Sequence, residues 1–297
     1  MRLDGIHHVT AITGEARANH DFYTRVLGLR LVKKSVNQDD PTVYHLFYAD
    51  ERASPGADLT FFEYPGARRG RAGAGMVHRV VWRVASEGAL DFWERRLAAE
   101  ETPAVRAPGR LHFADPEGLE HELTASTTAD EPLVASHPEI PAELALQGFD
   151  GVRVYADPAA SRPFLEGILD FAPAGEAAWE ARGERRGSAY ACDLPPPERG
   201  LPGAGTVHHV AWTCADADQL AWRDRVARAG AQPTPVVDRF WFRSVYFHEP
   251  GGVLFELATM GPGFTTDEPL EALGESLSLP PAFEHLRGRI EAVLTPL

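Results

Sequence analysis

Cysteine, long apolar runs and basic charge are all scarce in this sequence, and each shortage argues against a class of protein. The two cysteines, Cys192 and Cys214, form no C-x-x-C pair and allow at most one bridge, which favours a reducing, cytoplasmic location. No apolar run approaches the ~20 residues that span a bilayer, and the N-terminal MRLDGIHHVTAIT lacks the pattern of a secretory signal. The 29 Lys and Arg face 43 Asp and Glu, so a net charge of −14 would repel nucleic acid and anionic lipid.

The chain does contain a repeat of itself. Residues 74–82 (AGMVHRVVW) match residues 204–212 (AGTVHHVAW) at six of nine positions, with an offset of 130 residues. Residues 113–123 (FADPEGLEHEL) match residues 247–257 (FHEPGGVLFEL) at five positions, with an offset of 134. A third, fainter match precedes these two in both copies. Matches in the same order at similar offsets indicate a duplication, and the length suffices for two ordinary domains.

Each copy is predicted to run in the order strand, helix and three strands. Aromatic and β-branched runs such as Thr42–Tyr48 favour strands, and the apolar stripe of Leu90, Trp93 and Leu97 favours a helix that Ser86 can cap. Helices are predicted at 16–27, 87–99, 217–229 and 281–294. The predicted organisation is a first domain at 1–126, a linker at 127–147, a second domain at 148–262 and a C-terminal tail with a short helix at 263–297.

Each copy has one His-His pair at the start of a predicted strand. His7-His8 precede VTAI, and His208-His209 precede VAW. Neighbouring side chains on a strand point to opposite faces, so one histidine of each pair can face a cavity while the other packs behind it. A single strand histidine is more often a packed or surface residue. The matching positions of the two pairs make a shared site the stronger interpretation.

Glu256 lies in the apolar strand VLFELA, where an unpaired buried carboxylate would cost several kcal/mol. A divalent cation would compensate this charge, and so would a buried arginine such as Arg239 or Arg243. With His8 and His209, Glu256 completes the set of two imidazoles and one carboxylate that is typical of non-haem iron(II). Such a triad leaves about half of an octahedral shell open for substrate and O2.

The repeat also provides an internal comparison for this triad. The equivalent positions are Arg79 for His209, Glu122 for Glu256 and approximately Gly151 for His8. Neither glycine nor a guanidinium can bind a metal ion, and Arg79 can neutralise Glu122 in an ion pair. The sequence therefore predicts one metal centre in a duplicated scaffold.

The motifs HHVT, TVHHVAW and GGVLFELAT resemble those of the vicinal oxygen chelate superfamily of glyoxalases, bleomycin resistance proteins and extradiol dioxygenases. The segments LGLRLVKKSVNQDDPTVYHLFYAD, SPGADLTFFEYP and LPPAFEHL resemble its ring-cleaving dioxygenases of hydroquinones and catechols. The resemblance covers nearly the whole chain and implies an α+β fold, in which tandem βαβββ modules form cupped mixed β-sheets. It implies the metal ligands His8, His209 and Glu256, and the catalytic residues His208, Arg239 and Tyr246.

The implied catalytic residues have chemistry that suits such roles. Arg239 can stabilise a phenolate through its permanent charge, while Tyr246 and His208 can donate or relay protons. His7 can neighbour the metal in the same way. The alternative for Arg239 and Tyr246 is interior packing with an ion pair.

The resemblance implies that the chain opens a hydroquinone or catechol ring with O2, using Fe(II), with Mn(II) as the alternative ion. The expected partners are a small aromatic diol and O2. A glyoxalase-like isomerase or thiol transferase is a second hypothesis, but it typically requires a fourth protein ligand, and Arg79 occupies the obvious place for one. A non-catalytic protein that binds an aromatic drug is a third hypothesis, which needs no triad. The sequence leaves open the ring substituents, the diol position and the oligomeric state, a homo-oligomer included.

Overall fold

The computed structural model describes all 297 residues, which form four βαβββ modules and a C-terminal tail. Module 1 contains β1 (Leu3–Thr13), α1 (Ala16–Asp21), β2 (Arg30–Asn37), β3 (Asp40–Ala49) and β4 (Asp58–Glu63). Module 2 contains β5 (Met76–Val84), α2 (Glu87–Ala99), β6 (Ala104–Ala107), β7 (Arg110–Ala114) and β8 (Glu120–Ala125). Module 3 contains β9 (Phe149–Tyr155), α3 (Pro158–Gly167), β10 (Ala172–Pro173), β11 (Ala178–Arg182) and β12 (Gly187–Asp193). Module 4 contains β13 (Thr206–Cys214), α4 (Gln219–Arg228), β14 (Val237–Asp238), β15 (Arg243–His248) and β16 (Leu254–Thr259).

The modules form two mixed eight-stranded sheets, which confirms the predicted α+β class. Modules 1 and 4 build the first sheet, in the order β14-β15-β16-β13-β1-β4-β3-β2. Modules 2 and 3 build the second, in the order β10-β11-β12-β9-β5-β8-β7-β6. Within each sheet the modules join through their first strands, β1 antiparallel to β13 and β5 antiparallel to β9. The predicted linker at 127–147 contains no helix or strand, and each sheet takes one module from either side of it.

Local sequence explains α2, the helix whose bounds were predicted most closely. α2 spans residues 87–99 as expected, and the Ser86 side chain accepts a hydrogen bond of 3.2 Å from the backbone N–H of Ala89. Its stripe of Leu90, Trp93 and Leu97 is fully buried in a core cluster that includes residues of all four modules. None of the helices combines the length and apolar character that a membrane crossing requires.

Other elements differ from their predicted form. The helix predicted at 16–27 is α-helical only to Asp21 and continues as a π-helical turn over Phe22–Val26. The tail helix predicted at 281–294 is confined to α5 (Arg287–Glu291), which follows a 3₁₀ turn at Glu284–Leu286. Two further 3₁₀ turns of the tail lie at Phe264–Thr266 and Leu270–Ala272.

Candidate metal centre

The predicted triad comes together in the middle of the first sheet. Nε2 of His8 lies 3.2 Å from Nε2 of His209, and Oε2 of Glu256 lies 3.2 Å from the former and 3.0 Å from the latter. The three side chains are 1%, 4% and 0% exposed. The first sheet therefore gathers three potential ligand atoms at one buried point, although two of them are 201 residues apart in the chain.

Strand register explains the convergence. Ala211 on β13 is paired with His8 of β1 on one side and with Glu256 of β16 on the other. Paired residues share a face of the sheet, and so do residues two apart on one strand, which places His209 beside both. Because Ala211 has only a methyl side chain, the three longer side chains can meet above it.

The donor set fits a divalent cation. Oε2 of Glu256 is fully buried and has no hydrogen-bond partner of acceptable geometry, and an unsatisfied buried carboxylate oxygen is costly. Burial lowers the pKa of His209, and the two imidazoles hold the pKa of Glu256 well below its usual range against the effect of burial. Burial alone would lower the pKa of His8, but the Glu256 carboxylate raises it. A metal ion would take the place of the proton that this carboxylate attracts.

Neighbouring side chains orient the three potential ligands. Nδ1 of His8 lies 2.9 Å from Nδ1 of His7, and Nδ1 of His209 lies 2.8 Å from Nδ1 of His208. Oγ of Ser244 donates a 2.5 Å hydrogen bond to Oε1 of Glu256, which leaves Oε2 directed at the imidazoles. Partners of this kind fix ring orientation and ligand basicity in metal sites.

A cavity opens beside the triad, and two of the three predicted catalytic residues line it. Tyr246 stands with its ring centroid 5.7 Å from that of His209, and the guanidinium carbon of Arg239 lies 5.5 Å from the centre of the Tyr246 ring. Burial and the charge of Glu256 raise the pKa of Tyr246, which keeps its phenol protonated. His208 does not line this cavity but lies behind His209, with its own ring exposed.

The ion-pair alternatives for Glu256 are not present. Arg239 pairs with Asp39, and Arg243 pairs with Asp216 at 3.6 Å. The Glu256 carboxylate contacts only the two histidines and Ser244 among polar side chains.

The rest of the cavity wall was not predicted from the sequence. Its remaining members are Asn37, Gln38, Asp39, His45, Phe47, Trp241 and Phe242. Three come from the tip of the β2–β3 hairpin, and strand β2 was not among the predicted strands. His45 lies in a strand that was predicted, and the available signal was its place two residues before Phe47, on the same face of the strand. Burial holds the pKa of His45 far below its usual value, so this ring is neutral.

The second sheet contains the position equivalent to the triad, called the mirror position below. Side chains of opposite charge occupy it, as expected. Nη1 of Arg79 lies 3.2 Å from Oε2 of Glu122, which confirms the predicted pair. Arg110 and His112 also contact the Glu122 carboxylate, at 3.2 and 3.1 Å, and neither was anticipated.

The prediction that Arg79 occupies the place of a fourth ligand was wrong, because Arg79 belongs to the other sheet. Val210 of β13 and Val9 of β1 are equivalent, because each follows a His-His pair. Val210 pairs with the residue before Glu256, and Val9 pairs with the residue before Thr60. The position related to Glu256 across the first sheet is therefore Thr60, which carries a hydroxyl and no carboxylate.

Comparison with known proteins agrees with this fold. A family model described as the Glyoxalase/Bleomycin resistance protein/Dioxygenase superfamily matches residues 5–129 and 151–257. The chain therefore belongs to this superfamily. Within it, the chain groups with full-length proteins that are named ring-cleaving dioxygenases.

Two relatives and one crystal structure illustrate the similarity. MhqA of Bacillus subtilis (strain 168), provisionally named a ring-cleaving dioxygenase, is 41% identical, and the match covers 100% of both chains. The chlorohydroquinone/hydroquinone 1,2-dioxygenase of Sphingobium indicum is 31% identical over 97% of this chain and 95% of that protein. A crystal structure of a provisionally named dioxygenase from Bacillus subtilis subsp. subtilis str. 168 gives a TM-score of 0.93 at 40% identity, covering 100% of this chain and 98% of that one.

Proposed function

We propose that this chain is an Fe(II)-dependent dioxygenase that opens the ring of a hydroquinone or catechol with O2. His8, His209 and Glu256 hold the ion in this proposal, and Mn(II) is the alternative to iron because nitrogen and oxygen ligands suit both. Full-length relatives named ring-cleaving dioxygenases, and one named a chlorohydroquinone/hydroquinone 1,2-dioxygenase, support the reaction class.

The observation that carries the proposal is the meeting of two imidazoles and one carboxylate at the wall of a cavity. Three protein ligands leave coordination positions free, as in other oxygenases with this donor set. The bound ion would supply a site where the diol and O2 lie side by side and exchange electrons.

The chain's own residues bind and orient the substrate around that site. Phe47, Trp241 and Phe242 are buried and form an apolar wall against which an aromatic ring can pack. Arg239 provides positive charge where the diol loses its protons. Tyr246, protonated at its phenol, holds a proton that it can donate to an oxygen atom of the substrate.

The Thr60 side chain favours this function over a glyoxalase-like isomerase. A glyoxalase-like isomerase typically requires four protein ligands. The position equivalent to Glu256 in module 1 is Thr60, whose hydroxyl lies 2.8 Å from the hydroxyl of Thr10. The hypothesis of a non-catalytic drug-binding protein gives no reason for a buried, converging triad.

Oxygen uptake tests the proposal. Metal-free protein is loaded anaerobically with Fe(II), Mn(II) or Zn(II) and mixed with O2 and a panel of hydroquinones and catechols. We expect uptake of one O2 per diol with a redox-active ion and none with Zn(II), which has no redox chemistry, and none in the matched Glu256→Gln variant. No uptake across the panel with verified iron loading, together with isomerisation of a methylglyoxal-thiol adduct, would favour the isomerase.

A further inference from the structure

The tip of the β2–β3 hairpin lines the cavity and contacts the loop that follows β14. β14 and β2 are the first and last strands of the first sheet, so this contact joins opposite ends of one sheet. The hairpin belongs to module 1 and the loop to module 4. The contact therefore closes the sheet around the cavity and connects two parts of the chain that are about 200 residues apart.

Two adjacent hairpin residues hold Arg239 at both of its ends. The Asp39 carboxylate accepts from the two terminal nitrogens of the guanidinium, at 3.1 Å from Nη1 and 2.8 Å from Nη2. Gln38 donates from Nε2 to the backbone carbonyl of Arg239 at 2.8 Å. The side chain and the backbone of Arg239 are thus fixed independently by the same turn.

The loop itself has a conformation that needs such support. Phe240 has a φ of +74°, in the left-handed region that a bulky residue rarely adopts. Its N–H donates to the Asp238 carboxylate at 2.8 Å, and the Arg239 N–H donates to the Phe242 carbonyl at 2.9 Å. These bonds shape the loop from within, and the hairpin holds it from outside.

The Asp39–Arg239 pair is better suited to orientation than to stability. The side chain of Asp39 is 73% exposed, and exposed ion pairs contribute little to the free energy of unfolding. Bidentate pairing does fix the plane of a guanidinium. Asp39 engages two of the five N–H groups, and the guanidinium carbon lies 5.5 Å from the centre of the Tyr246 ring.

We propose that Gln38 and Asp39 are positioning residues for the reaction, and that they hold the Arg239 guanidinium over Tyr246 at the edge of the metal centre. This inference rests on the proposed function, in which Arg239 supplies charge to the substrate. It adds that module 1 contributes to catalysis through the hairpin tip as well as through His8.

A double-mutant cycle tests the proposal in the iron-loaded protein. We expect Asp39→Asn to lower kcat roughly 10- to 100-fold, because a misplaced electrostatic donor loses much of its effect, with iron content unchanged. In the Arg239→Met background the same substitution should have no further effect. Asp40→Asn is the matched control, since Asp40 lies in the same hairpin and its carboxylate bonds only to Thr42. The proposal is overturned if Asp39→Asn lowers kcat by the same factor in the Arg239→Met background as in the wild type. It is also overturned if Asp40→Asn lowers kcat as much as Asp39→Asn does.

Amide hydrogen exchange supplies a readout that does not depend on turnover. We expect faster exchange over residues 238–242 in Asp39→Asn and in Gln38→Ala than in wild type or Asp40→Asn. Unchanged exchange in both variants overturns the positioning role. If the wild-type protein turned over none of the diols, the proposed function would fail, and the exchange experiment would still decide whether the hairpin holds Arg239.

Discussion

Gly151 occupies in the second sheet the position that His8 occupies in the first. His8 pairs with Ala211 across the junction of modules 1 and 4, and Gly151 pairs with Val81, the equivalent of Ala211, across the junction of modules 2 and 3. A Cβ at Gly151 would stand 2.3 Å from the carbonyl oxygen of Ala189, so no side chain can be placed there without moving the backbone. The duplication therefore provides two equivalent positions, of which only the first can carry the complete set of ligands.

Loss of any one member of the triad should remove the metal without unfolding the protein. We expect His8→Ala, His209→Ala and Glu256→Ala each to lose bound iron and turnover, because two remaining donors hold the ion weakly. Metal analysis and circular dichroism of the purified variants check this, with His285→Ala in the tail as a control. Normal iron content in a folded variant would remove that residue from the set of ligands.

Arg239 and Tyr246 should affect the rate and not the metal. We expect Arg239→Ala and Tyr246→Phe to keep their iron and to lower kcat on the order of 100-fold, the usual cost of removing one preorganised electrostatic donor. Steady-state kinetics with parallel iron analysis measures both quantities. Unchanged kinetics in both variants would leave these residues with packing and an ion pair as their only roles.

A fourth ligand should change the chemistry of the site. Thr60→Glu adds a carboxylate at the position related to Glu256, and we expect tighter retention of the metal against a chelator. The added ligand would occupy a coordination position that substrate or O2 requires, so oxygen uptake should fall about 100-fold or more. Thr60→Val, which has the same shape without the hydroxyl, is the control for loss of the hydrogen bonds to Thr10 and His45. Undiminished uptake in metal-loaded Thr60→Glu would contradict the assigned geometry.

The repeat allowed much of the site to be predicted. Positions that match between the copies have the same place in a βαβββ module, so His8, His209 and Glu256 could be selected against Gly151 and Arg79 without a structure. Alternation along a strand predicted that one histidine of each pair would face inward, and the resemblance implied that these are His8 and His209. Both inferences depend on local patterns that a sequence records directly.

What the sequence did not predict depends on contacts between distant segments. Modules 1 and 4 share a sheet, which puts Thr60 and not Arg79 opposite Glu256. Strand β2 carries Lys33, whose charge obscures the strand pattern, yet this side chain is fully buried. Its ammonium group is 3.0 Å from Asp267, contacts Glu268, and faces the Trp241 ring at 5.2 Å. Only the folded chain brings the tail to this lysine.

The mirror position should be structural, with one metal ion bound per chain. Glu122 is only 2% exposed, so Arg79→Ala removes a charge partner from a buried carboxylate. Removing one partner of a lone buried ion pair lowers the free energy of unfolding by about 3–5 kcal/mol. Because Arg110 and His112 still contact Glu122, we expect the free energy of unfolding to fall by about 2 kcal/mol. Iron content should stay at one per chain in this variant, because Gly151 offers no side-chain ligand and the remaining Arg110 guanidinium has no lone pair and repels a second cation. Urea unfolding and metal analysis test this against Arg95→Ala, an exposed arginine on α2. Two tightly bound ions per chain, one of them lost in Glu122→Ala, would show that the second sheet also holds a metal.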